Sequence, residues 1–531
     1  MSPAVNGGAR RGILAFPPGG RPAGFAAALV VGGGARRYAP GMRNGDTRGA
    51  NPPLPSTGLV AVVKKDCPTC RLVEPVLEHL AESAGGLVAC SQDDPAFPAG
   101  LSAVVDDTEL EHSFHLRIET VPTLLRFEDG KETGRALGWN REEWRALTAT
   151  PDLGAELPGF RPGCGSLSVE PGADERLRAR FGETGLRARQ VALAPHADDV
   201  EACFDRGWTD GLPVVPPTPE RILRMLAGTT RAPDEVVGGV PPDYAECTVE
   251  KVAINAVLAG CKPEYMPVLL AALEAALDPD FTLHGILCST CFTSPLIIVN
   301  GPIARRIGMN AGLNVLGQGN RANATIGRAL NLIVRNVGGG RPGEIDRSTF
   351  GAPSKYTFCF AEDESDEEWE PLSVSRGVAR GASAVTLFQG EGVQGIMDQA
   401  SRTPEELTAS LATCLLAVCH PKICEWAHAV LLLSPEHYAI YREAGWDRAR
   451  ITEALLEATT RPLSEVQRGA AGLAEGVPDS ETRRRVPKFP PGGLLLARAG
   501  GAAGLYSAIL AGWPGGRAWK ESHPVTKEIE T

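Results

Sequence analysis

Two rhythms of apolar residues alternate along this chain. Short continuous runs of strand type occur at Gly58–Lys64, Pro295–Gly301, Tyr356–Glu362, Ala384–Gln389, Ala427–Ser434 and Gly493–Gly500. Between them, apolar positions recur at helical spacing over 71–82, 248–260 (with Thr248 as the cap), 263–277, Ala322–Val334, Pro404–Val418, Pro435–Ala444 and Trp446–Ala458. Leu505–Trp513 also reads as a helix, entered from a strand through the glycine-rich Gly500–Gly504. Strands alternating with helices predict an α/β class, a small unit followed by a larger α/β or α+β domain.

A chain of 531 residues is too long for one ordinary core. Composition suggests where it divides. Residues 1–56 are loaded with Gly, Pro, Ala and Arg and hold no acid before Asp46, so they cannot bury a core. They are expected to be a disordered leader, or an over-extended start with Met42 as the true first residue; the serine enrichment and amphipathic period of a transit peptide are missing. Residues 57–150 form the first domain and 191–531 the large one. Residues 151–190 are expected to be a linker, because Pro151–Gly172 holds four prolines and five glycines.

The net charge of −11 argues against nucleic-acid or anionic-membrane partners, which need a basic surface. No apolar run reaches the roughly 18 residues of a membrane span. Thirteen cysteines are too sparse for a disulfide scaffold and odd in number, so most are expected to be reduced in a cytoplasmic protein.

The first strand leads into Asp66-Cys67-Pro68-Thr69-Cys70 and then a helix. That order sets Cys67 at a helix N-terminus, where the dipole and free N–H groups favour a thiolate. A thiolate attacks disulfides, and Cys70, three residues on, would resolve the mixed disulfide. A lone CxxC serves equally as half of a zinc site. The second element is Leu116–Gly130, LRIETVPTLLRFEDG. Together with the CxxC it resembles the thioredoxin-like family, over about 90 of the 531 residues. The resemblance implies that Val121-Pro122 is a cis pair with Pro122 facing the dithiol. It further implies a strand at Thr123–Phe127, a turn at Glu128–Lys131, and a closing glycine and terminal helix from Gly138-Trp139 through REEWRAL.

Three departures from the family bear on chemistry. Asp66 stands where the family has tryptophan, and its charge is expected to raise the Cys67 pKa. Ala61 replaces the family's buried acid, and an insertion lies around Asp93–Leu101. These point to a dedicated partner. Lys64 and Lys65 either restore some thiolate character or are simply solvated. Cys90 reads as a buried strand cysteine.

Other candidates are less specific. Cys164, in the linker, is expected to be exposed, and is a candidate redox relay that could meet the dithiol. Cys288 and Cys291 form a second CxxC beside His284, either an electron acceptor or two small residues at a strand end. Asn300–Asn336 holds seven of the chain's twelve asparagines and five arginines. There Asn314, Gly317, Gly319, Asn320, Arg321, Asn323 and Arg328 are candidate anion- or substrate-binding residues at a helix start. The alternatives are a dinucleotide loop, weakly matched by GQGNRA, and an Asn-rich structural turn. Trp208, Thr209 and Asp210 either face a pocket or belong to a proline-stiffened strap. Gly500–Gly504 places backbone N–H groups toward a ligand if a helix follows. Cys414, Cys419, His420, Cys424 and His428 lack standard zinc spacing, and His196 and Asp199 match only a fragment of a zinc deacetylase motif, so no metal is expected. No cofactor is expected either. The acidic run Glu362–Glu370 reads as a solvated loop.

The leading expectation is a thiol–disulfide oxidoreductase. Its dithiol domain supplies reducing equivalents to a fused catalytic domain acting on a small, anionic substrate, the fusion raising the local dithiol concentration. The alternatives are a hydrolase or lyase with a regulatory or protective redox module, and a redox folding factor acting on a protein disulfide.

Overall fold

The computed structural model describes residues 28–31, 54–82, 86–194, 197–478, 484–513 and 523–530. Helices and strands are mixed throughout, in two main sheets. The first sheet has Gly58–Val63 at its centre. Leu87–Ser91 and then Val104–Asp106 run parallel on one side, and Thr123–Glu128 then Lys131–Leu137 antiparallel on the other. Val60, Ala61, Val62 and Val63 are all fully buried, which explains why this run is continuous rather than alternating. Trp139 and Trp144 close the core, their rings edge-on at 5.2 Å. The helix expected over 71–82 is two pieces, Pro68–Leu72 and Glu74–Glu82.

The segment read as a linker is a bound strap. Phe160–Arg161 pairs with Trp139–Asn140, and Cys164–Gly165 pairs antiparallel with Thr120–Val121. Leu167–Val169 forms a 3-10 turn and Ala173–Phe181 a helix. Glycines suit this course because the backbones almost touch: a Cβ on Gly163 would sit 2.8 Å from the Val121 carbonyl oxygen, and one on Gly138 2.7 Å from the Gly163 nitrogen. Prolines contribute carbonyls, Pro158 accepting from the Trp139 indole at 2.6 Å and Pro162 from the Thr69 hydroxyl at 2.7 Å.

The expected leader also contributes a strand, Ala28–Val31, parallel to Arg189–Ala192. It is the β-branched, apolar stretch of an otherwise Gly/Pro-rich segment. The remainder of residues 1–53 lies outside the described residues, as does His196.

The large domain is built on a mixed seven-stranded sheet. Its path runs Cys359–Ala361, Ser294–Asn300, Ala384–Met397, Tyr506–Gly512, Ala429–Leu433 and Leu494–Arg498, with Val525–Glu528 also pairing to Ala384–Met397. Alternate residues serve separate cores. Ile297 and Val299 pack with the helices Val249–Ala259, Met266–Leu277 and Arg321–Asn336, while Leu296 and Ile298 pack with Phe360, Phe388 and Leu432. Leu431 and Leu433 join a third cluster with Leu411, Tyr441 and Leu455 of the helices Pro404–Leu415, Pro435–Glu443 and Arg448–Ala458.

Two expectations fail here for packing reasons. Leu505–Trp513 is not a helix: Tyr506–Gly512 is a strand between Ala384–Met397 and Ala429–Leu433, where its short apolar run gains ladder partners on both edges. Gly500–Gly504 therefore crosses over Ala429–Leu433, which lies between Leu494–Arg498 and Tyr506–Gly512, and opens no helix. Nor is the acidic run solvated throughout, although Glu364, Glu367 and Glu368 are exposed. Glu362 is buried, accepting from Asn300, Trp369, the Leu372 amide and Arg448, while Asp363 and Asp366 meet Arg498. Two buried guanidiniums need counter-ions, and the acids supply them.

Among the described residues, no helix is long and apolar enough to cross a membrane.

Candidate functional site

Cys67 is the N-cap of the helix Pro68–Leu72, its sulfur accepting from the Cys70 amide at 3.4 Å. Proline at the first helical position fits there because that N–H would be unbonded anyway. The loop is held from below: Asp93 accepts from the amides of both Lys65 and Asp66, so the inserted segment positions the dithiol. The Val121–Pro122 bond is cis, as expected, and the Val121 carbonyl lies 3.5 Å from the Cys67 sulfur.

Of the three candidate relay cysteines, Cys164 is the one that meets the dithiol. The strap brings its sulfur to 2.9 Å from that of Cys67, and Cys164 is half-buried rather than exposed. Lys64 fixes it there by donating to the Gly165 carbonyl at 2.9 Å. Gln92 ties the strap beyond it, donating to Ser166 and accepting from the Leu167 amide.

Charge at the site is strongly polarised. The Cys67 thiol is lowered to about 5, chiefly because the Cys70 thiol hydrogen-bonds its thiolate, with Cys164 and the backbone amides of Thr69 and Cys70 adding to this against the cost of burial. The repulsion expected from Asp66 does not prevail, since that side chain is exposed to water. Cys70 is pushed far up by burial and by donating to Cys67, and Cys164 is also raised, first by burial and then by the same donation. One thiolate thus sits between two thiols.

No known protein-family model matches the chain.

The remaining candidates fall elsewhere. Cys288 is exposed at the end of the helix Leu283–Cys288, and Cys291 is partly covered, its carbonyl accepting from Ser348. The partners of the Cys67 sulfur are Cys70, Cys164 and Val121, so the second CxxC is not part of this contact set. His284 bonds Tyr244 at 3.0 Å. Among the described residues, no three His, Cys, Asp or Glu side chains gather to hold a metal ion.

The expected anion site at the start of Arg321–Asn336 is consumed by structure. Asn320 caps the helix, and Asn323 bonds the backbone of Asn310 and Val315. Asn314 takes a left-handed conformation and bonds the Gln318 carbonyl. A Cβ at Gly317 would collide with the Asn314 amide, so that glycine serves the turn. Gly319 has φ +116°, again a turn requirement. Arg321 donates to the Gly260 and Cys261 carbonyls. Arg328 forms a two-point pair with Asp210 at 2.8 and 2.7 Å and caps the Pro213 carbonyl.

The later half of the same helix is different, and sequence reasoning missed it. Asn331, Val334 and Arg335 line a cavity of about 550 Å³ with Asp210, Thr293, Ser294, Asp346, Phe350, Lys355 and Tyr356. Its walls come from segments up to about 145 residues apart, so no linear motif announced them.

Proposed function

We propose that the protein is a thiol–disulfide oxidoreductase whose working centre is Cys67 and Cys70, on a thioredoxin-like domain of residues 57–150, with Cys164 of the strap that follows. The observation that carries this reading is the 2.9 Å approach of Cys164 to a Cys67 thiolate capping a helix. Cys67 attacks one sulfur of a target disulfide, forming a mixed disulfide and releasing the other sulfur as a thiolate. Cys67 then no longer carries the charge that, beside burial, holds the Cys70 proton, so Cys70 gives it up more readily. Cys70 attacks the Cys67 sulfur and frees the second target thiol; the target gains two electrons and the Cys67–Cys70 pair loses them.

The strap lies where a target would dock, antiparallel to Thr120–Val121 with a cysteine opposite the nucleophile. Cys164 is therefore the first partner in the sequence of exchange, ahead of Cys288 and Cys291: its thiolate attacks the Cys67 sulfur of the oxidised pair, forming a Cys67–Cys164 disulfide and releasing Cys70 as a thiolate. All thirteen cysteines are free, which fits a reducing, cytoplasmic setting.

Reduction of insulin-type disulfides tests the assignment. Cys67→Ser should fall to the uncatalysed rate, whereas Cys90→Ser, remote from the exchange, should retain turnover. Full activity without Cys67 would remove the proposal.

A further inference from the structure

The cavity beside the helix Arg321–Asn336 holds an unusual charge. Two of its ion pairs are closed: Asp210 with Arg328 at 2.7 Å, and Asp346 with Lys355 at 2.6 Å. Among the described residues no carboxylate or carbonyl is hydrogen-bonded to Arg335, and its Nε is buried without a hydrogen bond. Burial, reinforced by the neighbouring Arg341 guanidinium, disfavours its positive charge, and the carboxylates of Asp210 and Glu344 offset this only in part. The helix C-terminus gives only partial compensation, a fraction of a unit charge. An unpaired half-buried guanidinium costs free energy, and such costs persist where a ligand uses them.

The neutral groups around it are also short of partners. The Asn331 Nδ2, Thr293 Oγ1 and Ser294 Oγ atoms are buried and make no hydrogen bond, and Thr293 and Ser294 are each only 2% exposed. Amide nitrogen, guanidinium nitrogen and hydroxyls can all donate, so the missing partner is an acceptor. At the lip, Phe350 is 87% exposed, edge-on to Phe292 at 6.2 Å, and Tyr356 is 45% exposed. Aromatic faces left in water beside a donor-rich floor suit a ligand with a polar head and a flat apolar body.

We propose that this cavity binds a small organic oxyanion, a carboxylate or phosphate on a flat apolar body, with Arg335 as its charge partner. Asn331, Thr293 and Ser294 supply neutral donors, and Phe350 and Tyr356 cover the body. The site is independent of the dithiol reading: it would stand if Cys67 proved inert, and the binding test below does not involve the cysteines.

The test is calorimetric titration of the full chain with benzoate, phenyl phosphate and inorganic phosphate. At least one of the two aromatic anions should bind, and which of them binds more tightly identifies the head group. Arg335→Met should weaken binding at least tenfold, and Arg335→Lys less. Phe350→Ala, at an exposed position that does not threaten the fold, should weaken the aromatic anions several-fold and leave inorganic phosphate unchanged. Absence of binding by either aromatic anion, or aromatic-anion binding unaltered in Arg335→Met, would overturn the proposal. Inorganic phosphate bound as tightly as phenyl phosphate, with Phe350→Ala silent, would overturn the assignment of an apolar body.

Discussion

Cys67 and Arg335 are both charged groups drawn out of water, and the chain treats them oppositely. Around Cys67 the donors outweigh burial: Cys70 and Cys164 donate to it, the helix start supports it, and the thiol falls to about 5. Around Arg335 the carboxylates of Asp210 and Glu344 favour the charge without bonding it, and its neighbours Asn331, Thr293 and Ser294 are unsatisfied. A charge stabilised by its surroundings is ready to react; a charge left unsatisfied is ready to bind. The contrast recurs within one helix, where Arg328 has Asp210 and Arg335, two turns on, has no such partner.

The largest effect expected from this contrast is on stability. Glu362 is wholly buried and serves Arg448, Trp369 and Asn300 together, so Glu362→Ala should cost about 3–5 kcal/mol by leaving a buried guanidinium unpaired. Arg335→Leu should do the reverse, leaving stability unchanged or raising it by up to about 1 kcal/mol, as expected where a binding group is strained. Urea denaturation of the two variants measures both. A strongly destabilised Arg335→Leu would show that the guanidinium has partners in the fold.

A smaller effect sharpens the other half of the comparison. The iodoacetamide reaction of Cys67 should follow a titration midpoint near pH 5 rather than the ordinary thiol value of 9.0. Because folding lowers this pKa, the thiolate's stabilisation of the reduced protein is fully present above the ordinary thiol value. It is lost as pH falls through about 5. The absolute rate should nonetheless be slow, since Cys67 is fully buried beneath the strap. Thr69→Val, which removes the 2.7 Å bond to Pro162, should speed labelling without moving the midpoint. A midpoint near 9 would contradict the thiolate assignment.

What could be read from the sequence follows from how each site is assembled. Cys67 and Cys70 lie within one contiguous motif, whereas the Val121-Pro122 pair was set beside them only by what the resemblance to the thioredoxin-like family implies. Cys164 was legible as a candidate relay but was expected to be exposed in a linker, because its approach depends on a two-residue strand pairing and on Gly163 and Gly138 letting backbones touch. The arginines of 321–335 were visible as charges. That Asp210, 118 residues before Arg328, neutralises one while another stays free was not visible. Tyr506–Gly512 was misread because a short apolar run has no intrinsic period strong enough to resist pairing on both edges.

The central claim is that Cys164 is the nearest exchange partner of Cys67. The direct measurement is peptide mapping of Cys70→Ser after exposure to oxidised glutathione, under non-reducing conditions. Cys67 should first take up glutathione, releasing one equivalent of thiol. Cys164 should then displace the bound glutathione, leaving an intramolecular Cys67–Cys164 disulfide as the main product. Cys67 that remains glutathionylated with Cys164 free, or that is joined to Cys288 or Cys291 instead, would contradict the account.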